Sequence, residues 1–182
     1  KEQGFSIDDK SANILTQYLG NDLSKINNEL SKLVLHLKKG EQITPKIIED
    51  NIGISKDFNV FELQNALGIK DVLKSNQIIK YFSENPKNHP FVLTLSSLFT
   101  FFQKVMIYQN LKDKSSKNAA SALGINPYFI SQFQTASRNY PMKKLFKIFT
   151  YLKEYDLKSK GVNNTSTADK ELLKELTFKI LH

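Results

Sequence analysis

The groupings of side chains that most often carry catalysis or bind metals do not occur in this sequence. It contains no Cys, which excludes disulfides, Cys-ligated zinc and thiol nucleophiles together. The three histidines, His36, His89 and His182, lack metal-ligand spacing, and there is no H-E-x-x-H motif. A nucleophile and its base would have to come from distant positions that the sequence does not identify. We therefore expect neither a metal ion nor a nucleophilic centre, and we interpret His36, which lies among lysines, as a surface residue.

Phosphate-binding loops and catalytic carboxylate pairs are not expected either. The seven glycines lie at positions 4, 20, 40, 53, 68, 124 and 161, so neither G-x-x-x-x-G-K-[ST] nor G-x-G-x-x-G can be formed. Asp8–Asp9 and Glu49–Asp50 are adjacent pairs on presumed helices, where neighbouring side chains point in different directions. We interpret them as helix caps or solvated charges. No intrinsic catalysis and no cofactor are expected in this segment.

Residues 118–139, NAASALGINPYFISQFQTASRN, have the spacing of a helix-turn-helix, which is a DNA-reading motif. The second helix of such a motif presents polar side chains, often arginines, at its start. Here that start is Asn126 followed by the apolar run from Pro127 to Ile130. Two interpretations stay open at this point: a DNA-binding protein that uses residues 118–139, or a pair of helices that pack against others.

The positive charge permits contact with nucleic acid without indicating base recognition. A net charge of +8 comes from 26 basic and 18 acidic residues, and Arg138 is the only arginine. Arginine forks read base edges, whereas lysines supply point charges that suit phosphates or simply favour solubility. The charge is therefore compatible with a partner that carries phosphates.

The hydrophobic patterning predicts an all-α protein with a substantial core. Apolar residues make up 40% of the chain and include 13 Phe, and no convincing strand alternation occurs. The most apolar stretch, Phe91–Leu111, contains Thr94, Ser96, Gln103 and Lys104, which favours a helix in the middle of a bundle over a membrane span.

The first fifty residues predict three helices that form a small unit with a thin core. Ser6 and Asp9 resemble a capping pair for a first helix that ends at Gly20. A second helix begins at Asn21 or Asp22 and ends near Gly40, with one apolar stripe formed by Leu23, Ile26, Leu30, Leu33 and Leu37. Thr44 and Pro45 predict the start of a third helix, which Gly53 closes.

A second, larger helical part follows a predicted boundary near residues 53 to 58. Helices are predicted from Phe58 to Gly68, over 71–84, after Pro90, over 116–123 and 127–138, from Pro141, and after a cap at Thr167. The last helix has Leu172, Leu173, Leu176 and Ile180 as its apolar positions.

Five segments of the sequence resemble, in the same order, segments of a known family. They are GNDLSKINNELSKLVLHL (20–37), ITPKIIEDNIG (43–53), NVFELQNALG (59–68), LGINPYFISQFQTASRNY (123–140) and LKEYDLKSKG (152–161). With these segments the sequence resembles the delta subunit of the bacterial DNA polymerase III clamp loader over nearly the whole chain.

The resemblance implies a domain organisation and a cellular setting. Residues 1–53 would be the helical lid of an AAA+ module, and residues 54–182 the C-terminal collar, a helical bundle used for oligomerisation. The chain would be a fragment of a longer polypeptide whose N-terminal nucleotide-binding-like domain opens the sliding clamp. The parent complex would be the DNA-directed DNA polymerase III holoenzyme, a nucleotidyltransferase, and the expected location is the cytoplasm.

The resemblance also implies partners and candidate residues. The partners would be the ATPase subunits and a delta-prime-like subunit through the collar, the sliding clamp through the missing domain, and primed DNA, with no membrane. Phe101, Phe102, Tyr128 and Phe129 are candidates for the subunit interface. Lysines on one predicted helix and just after it are candidates for proximity to DNA phosphate: Lys143, Lys144, Lys147, Lys158 and Lys160.

Overall fold

The computed structural model of the chain describes residues 4–19, 23–52, 58–164 and 166–182. It divides into two compact units, an N-terminal unit, Lys1–Phe61, and a C-terminal unit, Glu62–His182. The described residues form ten α-helices, one short 3-10 helix and one pair of two-residue strands. The predicted all-α class is therefore confirmed.

The N-terminal unit is built from three helices and a minimal strand pair. Its elements are β1 (Ser6–Ile7), α1 (Asp9–Leu19), α2 (Leu23–Leu35), β2 (Gln42–Ile43) and α3 (Pro45–Ile52). The two strands pair in parallel, with Ser6 opposite Gln42 and Ile7 opposite Ile43. The buried core is small and consists of Ile14, Leu15, Leu33, Ile43 and Ile48.

The helix boundaries of this unit correct two predictions. Ser6 lies in β1 and is not a cap; Asp8 takes that role, since its Oδ1 accepts the N–H of Ser11 at 2.6 Å. The second helix ends at Leu35, before Gly40, where the chain turns at a φ of +89°. The predicted cap at Thr44 is confirmed, because its hydroxyl accepts the N–H of Ile47 at 3.5 Å.

The predicted apolar stripe of α2 is buried only at one end. Leu33 is fully buried, and Leu30 and Leu37 are partly buried against the same core, whereas Leu23 is 79% exposed. The core contacts the C-terminal part of the predicted stripe, so Leu23 does not contribute to it. The predicted helix end at Gly20 and helix start at Asn21 or Asp22 lie outside the described residues.

The C-terminal unit is a bundle around one central helix. Its elements are α4 (Val60–Gly68), which begins just before the unit boundary, α5 (Val72–Glu84), α6 (Phe91–Asn110), α7 (Ser116–Leu123), a 3-10 helix (Pro127–Phe129), α8 (Ile130–Asn139), α9 (Met142–Ser159) and α10 (Asp169–Leu181). Helix α6 packs against α7, α8, α9 and α10, and α10 also packs against α5 and α9. Helix α10 starts two residues after Thr167, whose N–H donates to Asn164 Oδ1, so Thr167 is not its cap.

The apolar character of α6 is explained by this central place. Among the described residues, α6 is the one helix whose length and apolar composition would suffice to cross a membrane. Length and composition are the only basis for this statement. Eight of the α6 side chains are buried, and they form the middle of the bundle core: Phe91, Thr94, Leu95, Leu98, Phe101, Phe102, Val105 and Tyr108. A helix that contacts neighbours on several sides needs more apolar positions than a single stripe.

Two hydrogen bonds and a close approach fix the α4–α5 turn against the end of α8. The Tyr140 hydroxyl donates to the carbonyl of Leu67 at 2.6 Å, and Asn139 Nδ2 donates to the carbonyl of Gly68 at 2.9 Å. A Cβ on Gly68 would lie 3.3 Å from Phe101 and 3.5 Å from Ala136, so the absence of a side chain allows this close packing. The turn and the α8–α9 junction therefore form one rigid corner.

Candidate subunit interface and lysine cluster

Two of the aromatic side chains predicted at a subunit interface are core residues. Phe101 is 1% exposed and Phe102 is 0% exposed. The Phe101 ring lies 5.5 Å from that of Phe133, and the Phe102 ring lies 5.2 Å from that of Tyr140. Their side of α6 faces α8, so neither ring reaches the surface that a partner would contact. The interface prediction is corrected for both residues.

The other two predicted aromatics, Tyr128 and Phe129, lie in the 3-10 helix and point in different directions. Phe129 is 7% exposed and belongs to the core, whereas Tyr128 is 69% exposed. Gly124, in the left-handed region at a φ of +60°, ends α7, and Asn126 Oδ1 then accepts the N–H of Tyr128. Of this pair, only Tyr128 remains available for contact with a partner.

The same geometry argues against base reading by residues 118–139. The start of the second helix should be polar and accessible in a helix-turn-helix. Here Phe129 and Ile130, at that start, are each 7% exposed, and Phe133 and Ala136 continue the buried face of α8. The exposed side retains Arg138 in the last turn of α8, far from the helix start. The structure therefore favours the packing interpretation of this stretch.

An apolar groove lies between α6 and α9, and reasoning from the sequence did not identify it. We call it the α6–α9 groove; it has a volume of about 340 Å³ and is lined by Val92, Leu95, Ser96, Phe99, Phe149, Leu152, Lys153 and Asp156. Phe99 is 47% exposed and Val92 is 51% exposed. The sequence signal for it is the seven-residue spacing of Val92 and Phe99, which places both on one side of α6.

Packing within the α6–α9 groove holds its central ring in place. The rings of Phe99 and Phe149 meet edge to face, with centroids 5.4 Å apart. Such a pair positions both rings while part of Phe99 stays open to solvent. Lys153 and Asp156 add opposite charges to the α9 side of the groove. An apolar centre with a polar edge is the usual anatomy of a protein–protein contact.

Other exposed apolar side chains are more scattered. Within the C-terminal unit they include Ile69, Leu73, Leu93, Phe146 and Phe178, which are between 58% and 71% exposed. Single exposed apolar residues are common on soluble surfaces and need no partner. Phe178 also lines a depression between α9 and α10, but four of the six residues there are charged. The α6–α9 groove differs because five of its eight lining residues are apolar.

The five lysines predicted near DNA phosphate fall into two electrostatic settings along α9. At its C-terminal end, Lys158 pairs with Glu154 at 2.9 Å and Lys160 pairs with Asp156 at 2.7 Å. The Lys158 ammonium also lies 4.6 Å from the centre of the Tyr155 ring. Both ammonium groups therefore already have a carboxylate partner, and Glu154 is shared with Lys179 at 3.5 Å.

Lys143, Lys144 and Lys147 lie in the first two turns of α9, where the surroundings are positive. The pKa of Lys144 is lowered by partial burial of its ammonium and then by the charges of Lys70 and Lys147. Lys70 belongs to the α4–α5 turn, and its ammonium lies 5.2 Å from the centre of the Tyr140 ring. We call Lys70, Lys144 and Lys147 the lysine cluster. Sequence reasoning missed Lys70 because the turn and α9 are distant in sequence.

His89 is partly buried in the C-terminal unit. The His89 ring stacks on Phe82 at 4.0 Å, and burial lowers its pKa to about 4, so it is neutral near pH 7. His36 is exposed, as predicted. Across the described residues, no group of three or more His, Cys, Asp or Glu side chains is placed to hold a metal ion.

Comparison with known proteins agrees with this architecture. Residues 57–179 match the family model described as DNA polymerase III delta subunit, C-terminal domain. None of the curated proteins compared with the chain matches it. The fold is similar to a solved structure, the Bacillus subtilis DNA clamp loader delta protein (YqeN), with a TM-score of 0.63 and 22% sequence identity. That similarity covers 99% of this chain and 52% of the solved one, so the chain spans about half the length of that protein. Because the family model matches more than half of its residues, the chain belongs to the family formed by the C-terminal domains of DNA polymerase III delta subunits.

Proposed function

We propose that this chain is the lid and collar portion of a clamp-loader delta subunit and that its collar assembles with the other loader subunits. Residues 54–182 are the proposed collar, and residues 1–53 are the proposed lid of an AAA+ module. The proposed neighbours are the ATPase subunits and a delta-prime-like subunit. A domain outside this chain would bind the sliding clamp, and the assembled complex would load it onto primed DNA. The chain itself supplies no catalytic group in this proposal.

The observation that carries the proposal is the open apolar α6–α9 groove on the unit that the family model covers. Burial of apolar surface drives association at about 25 cal/mol per Å², before the cost of ordering the partners. Phe99 has roughly half of its surface still available for burial, since it is 47% exposed. A preordered aromatic ring at the centre of a contact is the usual form of a binding hot spot.

The lid assignment is supported by the size of the N-terminal unit. Three helices around the five-residue core that includes Leu33 and Ile48 make a small body. A body of this kind can move as one piece when a neighbouring domain rotates. In the proposal, ATP-driven movement in adjacent subunits reaches the clamp-binding domain through this unit.

Co-purification of this chain with the loader's ATPase and delta-prime-like subunits tests the proposed assembly. We expect the unmodified chain to form a complex that survives size-exclusion chromatography. A Val92→Glu/Phe99→Glu double variant should not, because it places two charges in the α6–α9 groove. Phe178→Glu is the matched control, since Phe178 is 63% exposed on α10 and does not line the groove.

The control variant should assemble like the unmodified chain. If the unmodified chain forms no complex, the proposed function is wrong. If the groove variant assembles as well as the Phe178→Glu control, the subunits meet through a different surface. Circular dichroism on each variant checks that the helices remain folded.

A further inference from the structure

We propose that the lysine cluster, Lys70, Lys144 and Lys147, is a single binding site for the phosphate backbone of nucleic acid. The inference rests on the proposed function, which brings the collar close to primed DNA. It adds the residues that make the contact and the kind of recognition involved. Lys70 lies on a different element from the two α9 lysines, so the site exists only in the folded unit.

The corner between the α4–α5 turn and the α8–α9 junction brings the three side chains together. Tyr140 is buried, and its hydroxyl donates to the Leu67 carbonyl three residues before Lys70. Lys70 itself adopts a left-handed backbone with a φ of 57°, which ends the turn, and its ammonium comes to rest over the Tyr140 ring. The position of Lys70 is thus set by tertiary contacts.

The first turns of α9 supply the other two ammonium groups. Pro141 follows Tyr140, and its carbonyl accepts the N–H of Lys144 at 2.8 Å, which places Lys144 one turn beyond the anchored tyrosine. Lys147 comes three residues later and therefore lies on the same side of α9 as Lys144. Lys144 is therefore close enough to both Lys70 and Lys147 for their charges to act on its ammonium group, and Lys70 is held over the Tyr140 ring.

No carboxylate in the described part of the chain forms an ion pair with Lys70, Lys144 or Lys147. Ion pairs there join other lysines to carboxylates, among them Lys158, Lys160, Lys174 and Lys179, and none involves the lysine cluster. Asp71, next to Lys70, uses its carboxylate to cap α5 by accepting the N–H of Lys74 at 2.9 Å. Bringing like charges together costs free energy, and an anion placed between them removes that cost.

The chemistry of the group favours a phosphate backbone over a base edge. Lysine ammonium groups act as point charges toward phosphate and have no planar fork for reading bases. Arg138, the one arginine of the chain, does not belong to the cluster. The site should therefore bind single-stranded and duplex DNA without sequence preference and with a strong dependence on salt.

Fluorescence anisotropy with two labelled DNA probes tests the site on the whole chain. The probes are a thymidine oligonucleotide of about 30 nucleotides, which is long enough to span several phosphate contacts, and a primed duplex of random sequence. The variant Lys70→Gln/Lys144→Gln/Lys147→Gln is compared with Lys80→Gln/Lys87→Gln/Lys117→Gln. The control changes the net charge equally but removes exposed lysines that lie on α5, in the loop after it and on α7.

The cluster variant should bind at least about tenfold more weakly at low salt, and its slope of log affinity against log salt should be shallower by about 2 to 3. The control variant should lose less than about threefold, because scattered charges make no common contact. The two probes show whether single strand or duplex is preferred. Equal losses in the two variants, or no loss in either, would overturn the proposal.

Assembly with the loader subunits separates this inference from the proposed function. The cluster variant should co-purify with those subunits like the unmodified chain. A cluster variant that binds DNA normally but no longer assembles would mean that these lysines contact a protein neighbour, which also overturns the proposal. Failure of the unmodified chain to assemble, with DNA binding through the cluster intact, would instead contradict the proposed function alone.

Discussion

On one side of α6, Phe101 and Phe102 are 1% and 0% exposed, whereas Phe99, on another side of the same helix, is 47% exposed. All three are phenylalanines within one turn of helix. Phe101 packs against Phe133 and Phe102 packs against Tyr140 in the core of the bundle. Phe99 meets Phe149 by its edge and leaves part of its ring open. The comparison separates residues that stabilise the fold from residues available for assembly.

The largest loss of unfolding free energy should come from truncating a side chain on the buried side of α6. Phe102→Ala removes a fully buried ring, and cavities of this kind cost about 3–5 kcal/mol of unfolding free energy. Phe99→Ala is the matched outer variant and should cost about 1 kcal/mol, because nearly half of the side chain is already in water. Urea denaturation of both variants measures the difference. Similar losses of unfolding free energy for the two variants would mean that Phe99 contributes to the core as much as Phe102 does.

A smaller effect should come from the corner that supports the lysine cluster. Tyr140→Phe removes the hydroxyl that donates to the Leu67 carbonyl and leaves that carbonyl without this partner, which should cost about 1–3 kcal/mol. We also expect weaker DNA binding, because Lys70 is held by the same corner. Denaturation together with the anisotropy assay measures both. Unchanged stability would show that the hydroxyl does not anchor the turn.

The smallest change in stability and in DNA affinity is expected at the C-terminal end of α9. Lys160→Gln removes an exposed ion pair with Asp156, which contributes no more than about 0.5 kcal/mol. DNA affinity should change by less than about twofold, since this charge is already balanced in the helix. Thermal unfolding and anisotropy check both quantities. A loss of DNA affinity as large as that of the cluster variant would contradict the distinction between the two ends of α9.

Local signals in the sequence predicted most helices of the C-terminal unit. Pro90 precedes α6 as predicted, and the leucines predicted as apolar positions of α10, beginning with Leu172, are buried. Asp71, at the predicted start of α5, is its cap. These features depend on residues within a turn or two of each other, so periodicity and capping rules apply. The two-residue strands β1 and β2 were too short to leave an alternating pattern.

The candidate site could be predicted only in part, because burial and clustering depend on contacts between distant segments. The stretch that forms α6 was recognised as a helix in the middle of a bundle, but which of its positions face solvent depends on where α8 and α9 pack. Phe101 and Phe102 were therefore assigned to the wrong surface. Lys144 and Lys147 were identified from α9 alone, whereas Lys70 joins them through the tertiary contact of Tyr140 with Leu67.

The central claim is that the α6–α9 groove of this chain binds a neighbouring protein of the loader. The most direct measurement is the Kd of the chain for the loader's ATPase and delta-prime-like subunits, compared among the unmodified chain, Phe99→Ala and Phe178→Ala. We predict that Phe99→Ala weakens binding about 30-fold, which corresponds to about 2 kcal/mol, and that Phe178→Ala changes it less than about twofold. Equal Kd values for all three proteins would contradict the account.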